Sequence, residues 1–147
     1  GIIRRTKPAI VLAPTPAQNQ HPDHWRLAQL VRDATRLARY GGLAELKDQP
    51  VHAIGQLFFY AITSNAEPSN GQPVLIDISS PEIVAAWTAA MQAHASQLKT
   101  RDYVESQLAR ARVNGSRCGT SMAMTLYPND PLVFDSLAAL ARGARRY

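Results

Sequence analysis

The amino-acid sequence predicts an α/β fold with a mostly parallel sheet. Short apolar or β-branched runs alternate with longer stretches of helical periodicity, which is the pattern of strands joined by helices. Of the 147 residues, 46% are hydrophobic and 18% are charged, so the chain is long enough and apolar enough to fold around a packed core. No internal repeat divides the sequence, and we expect a single domain over residues 1–147.

The first strand and the helix after it are predicted at residues 10–13 and 22–40. The strand is a continuous apolar run, Ile10-Val11-Leu12-Ala13, which is typical of a strand buried on both faces. Pro22 fits the first helical turn, where its missing N–H costs nothing, and Gly41-Gly42 is typical of a helix C-cap. Helical spacing predicts one buried apolar face, formed by Leu27, Leu30, Val31, Ala34, Leu37 and Ala38.

The second half of the chain continues this alternation. Residues 56–63 are rich in aromatic and aliphatic side chains and residues 74–78 alternate in polarity, so both predict strands. The stretch Ser80-Pro81-Glu82 predicts a helix N-terminus, with serine as the N-cap. The predicted helices of this half are one over residues 80–98, one that begins at Thr100, and a short one over residues 134–144.

Charge and composition argue against several classes of partner. The net charge is +5 and the isoelectric point is about 9.8, but the basic residues are scattered, so nucleic acid is not an expected partner. The densest basic group lies near the C-terminal end, at Arg142, Arg145 and Arg146. No apolar run reaches the length of a membrane span, so a membrane is not an expected partner either. The single cysteine, Cys118, excludes an internal disulfide and agrees with a cytoplasmic location, which we expect.

The stretch from Gln20 to His24 is the strongest candidate for a functional site. It follows the first predicted strand, and in open α/β sheets ligands bind beyond the carboxyl ends of parallel strands. Asp23 falls in the first turn of the predicted helix, where the helix dipole favours a negative charge. A neutral imidazole is a common zinc ligand, so His21 and His24 are metal or catalytic candidates. The alternative is that His21 only enters the helix and His24 is a half-buried surface residue.

The stretch His21-Pro22-Asp23-His24 resembles the second signature of the LmbE-like, or PIG-L-like, zinc-dependent N-acetylglucosamine deacetylases. Two more stretches are similar to the same family: Gly42–Leu46 followed by His52, and Glu105–Gly119. The resemblance implies a Rossmann-like three-layer sandwich with a mostly parallel sheet whose N-terminal strands are missing. The order of elements between residues 40 and 119 is most similar to the branch that makes precursors of bacillithiol.

The resemblance also implies an activity and a set of site residues. The activity is hydrolysis of the acetamide of an N-acetylglucosaminyl conjugate with Zn²⁺ as the cofactor, in which the metal lowers the pKa of its bound water to about 7. His24 would be the metal ligand, His21 the acid or oxyanion partner, and Asp23 the carboxylate that orients His21. Gln20 and His52 are substrate-binding candidates, although His52 is equally well explained as a loop histidine. Members of the family often form homo-oligomers.

The sequence departs from the family in three places. A first zinc signature of the form A-H-P-D-D-E is absent, so we expect the chain to be the C-terminal part of such a domain and inactive on its own. Gln20 stands where an arginine is common, and Ser121–Leu126 replaces a segment that carries an aromatic residue and a glutamate. These departures keep an alternative open, namely a non-catalytic relic or partner subunit that binds a sugar or a protein.

Overall fold

A computed structural model describes residues 1–18, 20–99, 102–140 and 143 of the chain. Its helices and strands are α1 (Ile2–Thr6), β1 (Ile10–Pro14), α2 (Pro22–Ala38), β2 (Gln56–Tyr60), β3 (Val74–Asp77), α3 (Pro81–Gln92), α4 (Tyr103–Ser116) and β4 (Ala123–Pro128). Short 3-10 turns lie at Ala44–Leu46, Ser64–Ala66, Ala95–Leu98 and Leu137–Leu140. The first compact unit comprises Gly1–Val74 and Leu126–Leu132, and the second comprises Leu75–Thr125 and the described residues from Val133 onward.

The four strands form a mixed sheet in the order β1-β2-β4-β3. β1 runs parallel to β2, with the register Ile10↔Gln56 to Pro14↔Tyr60, whereas β4 runs antiparallel to β2. The α/β class is therefore confirmed. The prediction of a mostly parallel sheet agrees with the pairing of β1 with β2, but it is wrong for β4, which is antiparallel to β2. β4 was not among the predicted strands, and its residues alternate in burial along the strand. The three-layer arrangement stays a prediction.

The core of the first unit lies between α2 and one face of β1 and β2. It is formed by five buried side chains, Ala13, Ala28, Leu57, Phe59 and Tyr127. Val11 packs against this core, but Ile10 and Leu12 on the other face of β1 are 58% and 55% exposed. The expectation that β1 is buried on both faces is therefore wrong, because α2 covers one face of the strand.

Helix α2 packs through small residues and not through its leucines. Its buried residues are Ala28, Thr35 and Ala38, which recur at helical spacing. The leucines of the predicted apolar face are exposed: Leu27, Leu30 and Leu37. Small side chains allow the helix backbone to lie close to the sheet. The predicted apolar face is therefore correct for Val31, which packs against the core, and for the buried Ala38, but it is wrong for its leucines and Ala34.

A buried guanidinium group fixes the C-terminal end of α2. Arg4 of α1 is 2% exposed, and no ion pair involves it among the described residues. Its five N–H groups donate at 2.5–3.3 Å to the carbonyl oxygens of Leu37, Ala38, Tyr40, Leu46 and Gln49. The last carbonyls of a helix have no intrahelical partner and carry its negative dipole end, so a cation is favourable here. The same group also holds the turn that follows the helix.

In the second unit, aspartate side chains accept backbone N–H groups at the start of α4 and just after β3. Asp102 is the N-cap of α4 and accepts the N–H of Glu105 at 2.9 Å, and Asp77 accepts the N–H of Ser79 at 3.0 Å. The predicted helix from Ser80 is confirmed at its start but ends at Gln92, before a 3-10 turn. No helix in the described part of the chain is long and apolar enough to cross a membrane.

The predicted C-terminal helix is wrong in its first residues. Residues 134–136 are not helical, and a 3-10 turn occupies Leu137–Leu140. Residues 141, 142 and 144 of that prediction lie outside the described residues, as do Arg145 and Arg146 of the basic group.

We expect Arg4→Ala to lower the free energy of unfolding by about 3–5 kcal/mol, because it leaves several buried carbonyl oxygens without a donor. Arg4→Lys keeps the charge but has three donors, so we expect a loss of about half that size. Urea unfolding followed by circular dichroism measures both. Arg5→Ala is the control, since Arg5 is exposed on the same helix and should change the value by less than about 0.5 kcal/mol. Equal losses for Arg4→Ala and Arg5→Ala would contradict the role of Arg4.

We expect Gly115→Ala to destabilise the second unit by about 2 kcal/mol, although alanine is the better helix former. A Cβ at Gly115 would lie 2.7 Å from backbone atoms of Thr120, Ser121 and Met122. This backbone is held by hydrogen bonds of Met122 to Ser79 and Ile78, so it cannot retreat cheaply.

The control for Gly115→Ala is Gly42→Ala, because a Cβ at Gly42 has nothing within 4 Å. Thermal unfolding should show no more than a small change for this variant. A Gly115→Ala protein as stable as the wild type would disprove the close approach.

Candidate functional site

The loop that carries the candidate site is anchored at the end of β1. The backbone N–H of Thr15 donates to the carbonyl oxygen of Tyr60 at 2.9 Å, which continues the pairing of β1 with β2. The Thr15 side chain is fully buried, and its hydroxyl donates to the carbonyl oxygen of Ala66 at 2.7 Å. The chain therefore leaves the sheet from a fixed point at the carboxyl end of a parallel strand, as the sequence predicted for the loop before His21.

Gln20 shapes this loop from within. Its side-chain amide donates to the carbonyl oxygens of Thr15 and Ala17, both at 2.7 Å. The amide oxygen Oε1 is buried and has no hydrogen-bond partner among the described residues. A buried acceptor without a donor is uncommon in a folded protein, and the lone pairs of this oxygen are unused by the described residues. The substrate-binding role of Gln20 stays a prediction.

His21 is the N-cap of α2. Its Nδ1 accepts the backbone N–H of Asp23 at 3.3 Å, which satisfies one of the free N–H groups of the first turn. The same nitrogen lies 3.5 Å from Oδ2 of Asp23, and the two side chains are 67% and 81% exposed. In the neutral ring, a nitrogen that accepts this bond leaves the proton on Nε2, which can then donate to a ligand.

His24 lies beside His21 on the first turn of α2. Its backbone N–H donates to the carbonyl oxygen of His21 at 3.0 Å, and the two rings meet edge to face with 6.0 Å between their centroids. His24 is half-buried, whereas His21 and Asp23 are exposed. The structure thus brings together four of the predicted site residues, Gln20, His21, Asp23 and His24, at one end of α2.

His52 lies near the opposite, amino-terminal ends of β1 and β2. Its Nε2 lies at hydrogen-bond distance, 2.9 Å, from the carbonyl oxygen of Pro8, and its backbone N–H donates to Ala38. Pro8 precedes β1 and His21 follows it, and five residues of strand span roughly 16 Å. The structure therefore does not bring His52 together with the two histidines of α2, and its substrate-binding role stays a prediction.

The side chains of the candidate site are of the types that bind metal ions, but too few of them are placed to hold one. Two imidazoles and a carboxylate are donors that zinc accepts, and a catalytic zinc site usually has three protein ligands. Among the described residues, however, no group of three or more His, Cys, Asp or Glu side chains is placed to hold a metal ion. These residues alone therefore do not fit a zinc ion.

Several solved protein structures are similar to this chain in fold. No family model matches the sequence. A conserved protein from Thermus thermophilus is 28% identical over 90% of this chain and 57% of its own, with a TM-score of 0.71. A 4-carboxy-2-hydroxymuconate hydratase from Pseudomonas putida is 21% identical over 92% of this chain and 58% of its own, with a TM-score of 0.67.

The third solved structure is an N,N'-diacetylchitobiose deacetylase from Pyrococcus horikoshii, crystallised with an inhibitor. It is 19% identical over 86% of this chain and 48% of its own, with a TM-score of 0.66. The chain thus spans roughly half to three fifths of the length of the structures that it matches. One fold serves a hydratase and a deacetylase, so the fold by itself does not select a reaction. The chain shares its α/β fold with these three proteins.

Proposed function

We propose that this chain carries part of the active site of a zinc-dependent hydrolase that removes the acetyl group from an N-acetylglucosaminyl conjugate. The observation that carries the proposal is the pair of imidazoles, His21 and His24, beside Asp23 at the carboxyl end of a parallel strand. Ligands of open α/β sheets bind at this position. The deacetylase of Pyrococcus horikoshii, which has the same fold, agrees with the reaction class.

Two requirements of amide hydrolysis would be met by the exposed His21 at the N-cap of α2. The tetrahedral intermediate needs a hydrogen-bond donor for its oxyanion, and the departing amine needs a proton. His21 has its Nδ1 engaged by the backbone and its Nε2 free to donate, so it is our candidate for both tasks. Asp23 stands beside it, with Oδ2 3.5 Å from Nδ1, and is our candidate for the carboxylate that orients the ring.

We propose that His24 is one ligand of the zinc ion and that the other ligands come from outside the described residues. We further propose that Gln20 accepts a hydrogen bond from the substrate through its unpartnered Oε1. His52 would contact substrate from the amino-terminal ends of β1 and β2 only if the conjugate is long. We also propose that the substrate is of the bacillithiol-precursor type. The enzyme would be cytoplasmic and would assemble as a homo-oligomer.

A second candidate function is a non-catalytic relic or partner subunit that binds a sugar or a protein. The observation that favours it is the lack of a three-ligand cluster among the residues that the structure describes. The two candidates differ in one measurable property, because only the first requires His24 to respond to zinc.

We expect Zn²⁺ to bind the isolated chain weakly, with a dissociation constant on the order of 0.1–1 mM, because one imidazole is a poor site. A titration followed by the histidine ring resonances in NMR should shift His24, with a smaller shift for the neighbouring His21. His52 should not respond, since its ring nitrogen contacts Pro8. Calorimetry on the same samples measures the affinity.

The control variants for this titration are His24→Ala and His52→Ala. The first should abolish the zinc response and the second should leave it unchanged. Stoichiometric binding at micromolar zinc would mean that the ligands are elsewhere. No shift of His24 at millimolar zinc would contradict the proposed ligand, and retained binding of an N-acetylglucosaminyl ligand in that case would favour the relic.

We expect His21→Ala to lower the free energy of unfolding by about 0.5–1 kcal/mol, because the N-cap of α2 is lost. His21→Asn restores an N-cap acceptor and should return the stability to that of the wild type, but it removes the imidazole. Thermal unfolding of the two variants separates the capping role of His21 from its proposed catalytic role. Equal stability of His21→Ala and the wild type would disprove the cap.

A further inference from the structure

A second concave site lies at the other end of α2 from the two histidines. It is a cavity of about 360 Å³ between the C-terminal half of α2, the segment at residues 53–57 and the residues after β4. Its volume lies at the lower end of the range for small-molecule sites. Arg36 on α2 is 15 residues from His21, which corresponds to roughly 22 Å along a helix, so the cavity is not part of the candidate site already described.

The cavity wall is strongly basic. Arg32, Arg36 and Arg39 line it from successive turns of α2, and Asp130 is the one carboxylate of the lining. Asp130 accepts a hydrogen bond from the side chain of Asn129 at 2.9 Å. None of the three arginines forms an ion pair with a carboxylate in the part of the chain that the structure describes. Three arginines therefore line one cavity with little compensating charge from the protein, and the Arg39 guanidinium also lies 5.1 Å from the centre of the Tyr40 ring.

Two buried polar atoms of the lining are unpartnered among the described residues. They are Nε of Arg32, a donor, and Oε1 of Gln56, an acceptor. The guanidinium of Arg32 is 5.5 Å from the centre of the Phe59 ring, which fixes it against the core. Thr35 does not serve the Gln56 acceptor, because its one hydroxyl proton already goes to the carbonyl oxygen of Arg32. A ligand with an acceptor oxygen and a hydroxyl would satisfy both atoms.

A neighbouring phenol reports the positive field. Tyr40 follows α2 and accepts a hydrogen bond from Arg39 at 3.2 Å. This hydrogen bond and the charge of Arg39, with a contribution from Arg36, lower the pKa of Tyr40 below its ordinary value. The positive charge of these arginines thus favours the deprotonated form of a phenol next to them.

We propose that this cavity binds a small multivalent oxyanion that carries a hydroxyl group, such as a phosphorylated sugar or a hydroxylated polycarboxylate. The guanidinium groups of Arg36 and Arg39 would pair with the oxyanion, which planar arginine forks recognise well. Arg32 would donate through Nε, and Gln56 would accept from the ligand hydroxyl. A polyanion such as nucleic acid needs an extended basic surface, whereas these arginines line one concavity.

The test is binding of glucose 6-phosphate, citrate and inorganic phosphate to the whole chain at constant ionic strength, measured by calorimetry. Glucose 6-phosphate and citrate distinguish the two ligand types, and we expect at least one of them to bind more tightly than phosphate. Arg36→Ala/Arg39→Ala should weaken that binding about tenfold or more. Both arginines are exposed, so the variant should remain folded, which circular dichroism checks.

The matched control is Arg5→Ala/Arg26→Ala, which removes the same charge from α1 and α2 outside the cavity. It should bind as the wild type does. Equal weakening in both double variants would overturn the site in favour of diffuse electrostatics, and no binding of any probe to the wild type would overturn it outright. Tighter binding of a single-stranded 12-mer oligonucleotide, with a steep salt dependence, would overturn it in favour of nucleic acid.

The Tyr40 phenol supplies a second readout. A bound oxyanion partly neutralises Arg36 and Arg39, so it should raise the pKa of Tyr40 toward its ordinary value in an ultraviolet titration. Tyr40→Phe assigns the signal among the five tyrosines of the chain. Binding that leaves the Tyr40 titration unchanged would place the anion elsewhere and overturn the proposed site.

Discussion

The first unit depends on the burial of one charged side chain. Arg4 comes from a helix of five residues, yet its hydrogen bonds reach the end of α2 and the turn 33 to 45 residues further along the chain. A cation in this place compensates the negative end of the helix dipole and the free carbonyl groups of the last turn. It thereby fixes the position of α2, and the two ends of α2 carry both of the sites proposed for this protein.

Local chemistry was predictable and long-range packing was not. The start of α2, its proline and its early acid all lie within a few residues, and the sequence predicted them correctly. The buried face of α2 depends on how closely the helix approaches the sheet, and small residues such as Ala28 and Thr35 decided it against the leucines. The role of Arg4 was invisible because its partners are distant in sequence, and β4 was hidden by a family comparison that expected another segment there.

The difference between local and long-range structure also explains which candidate site residues could be grouped from the sequence. Gln20, His21, Asp23 and His24 lie together because one loop and one helical turn hold them, so short spacing was sufficient to group them. His52 required the register of the sheet. Because β2 is parallel to β1, a residue that precedes β2 lies beside a residue that precedes β1. His52 therefore contacts Pro8 at the amino-terminal ends of both strands.

The sequence did not predict a site at the cavity arginines, because a helix face rich in charge is normally solvated. In this fold, that face of α2 meets the segment before β2 and the residues after β4, so part of it lines a concavity. Arginines near a helix C-terminus are favoured by its dipole, yet an unpartnered buried donor on Arg32 gains nothing from that field alone. Helix stability thus explains why the charges lie at this end of α2, and the proposed anion would give the buried donor of Arg32 the acceptor that the described residues do not supply.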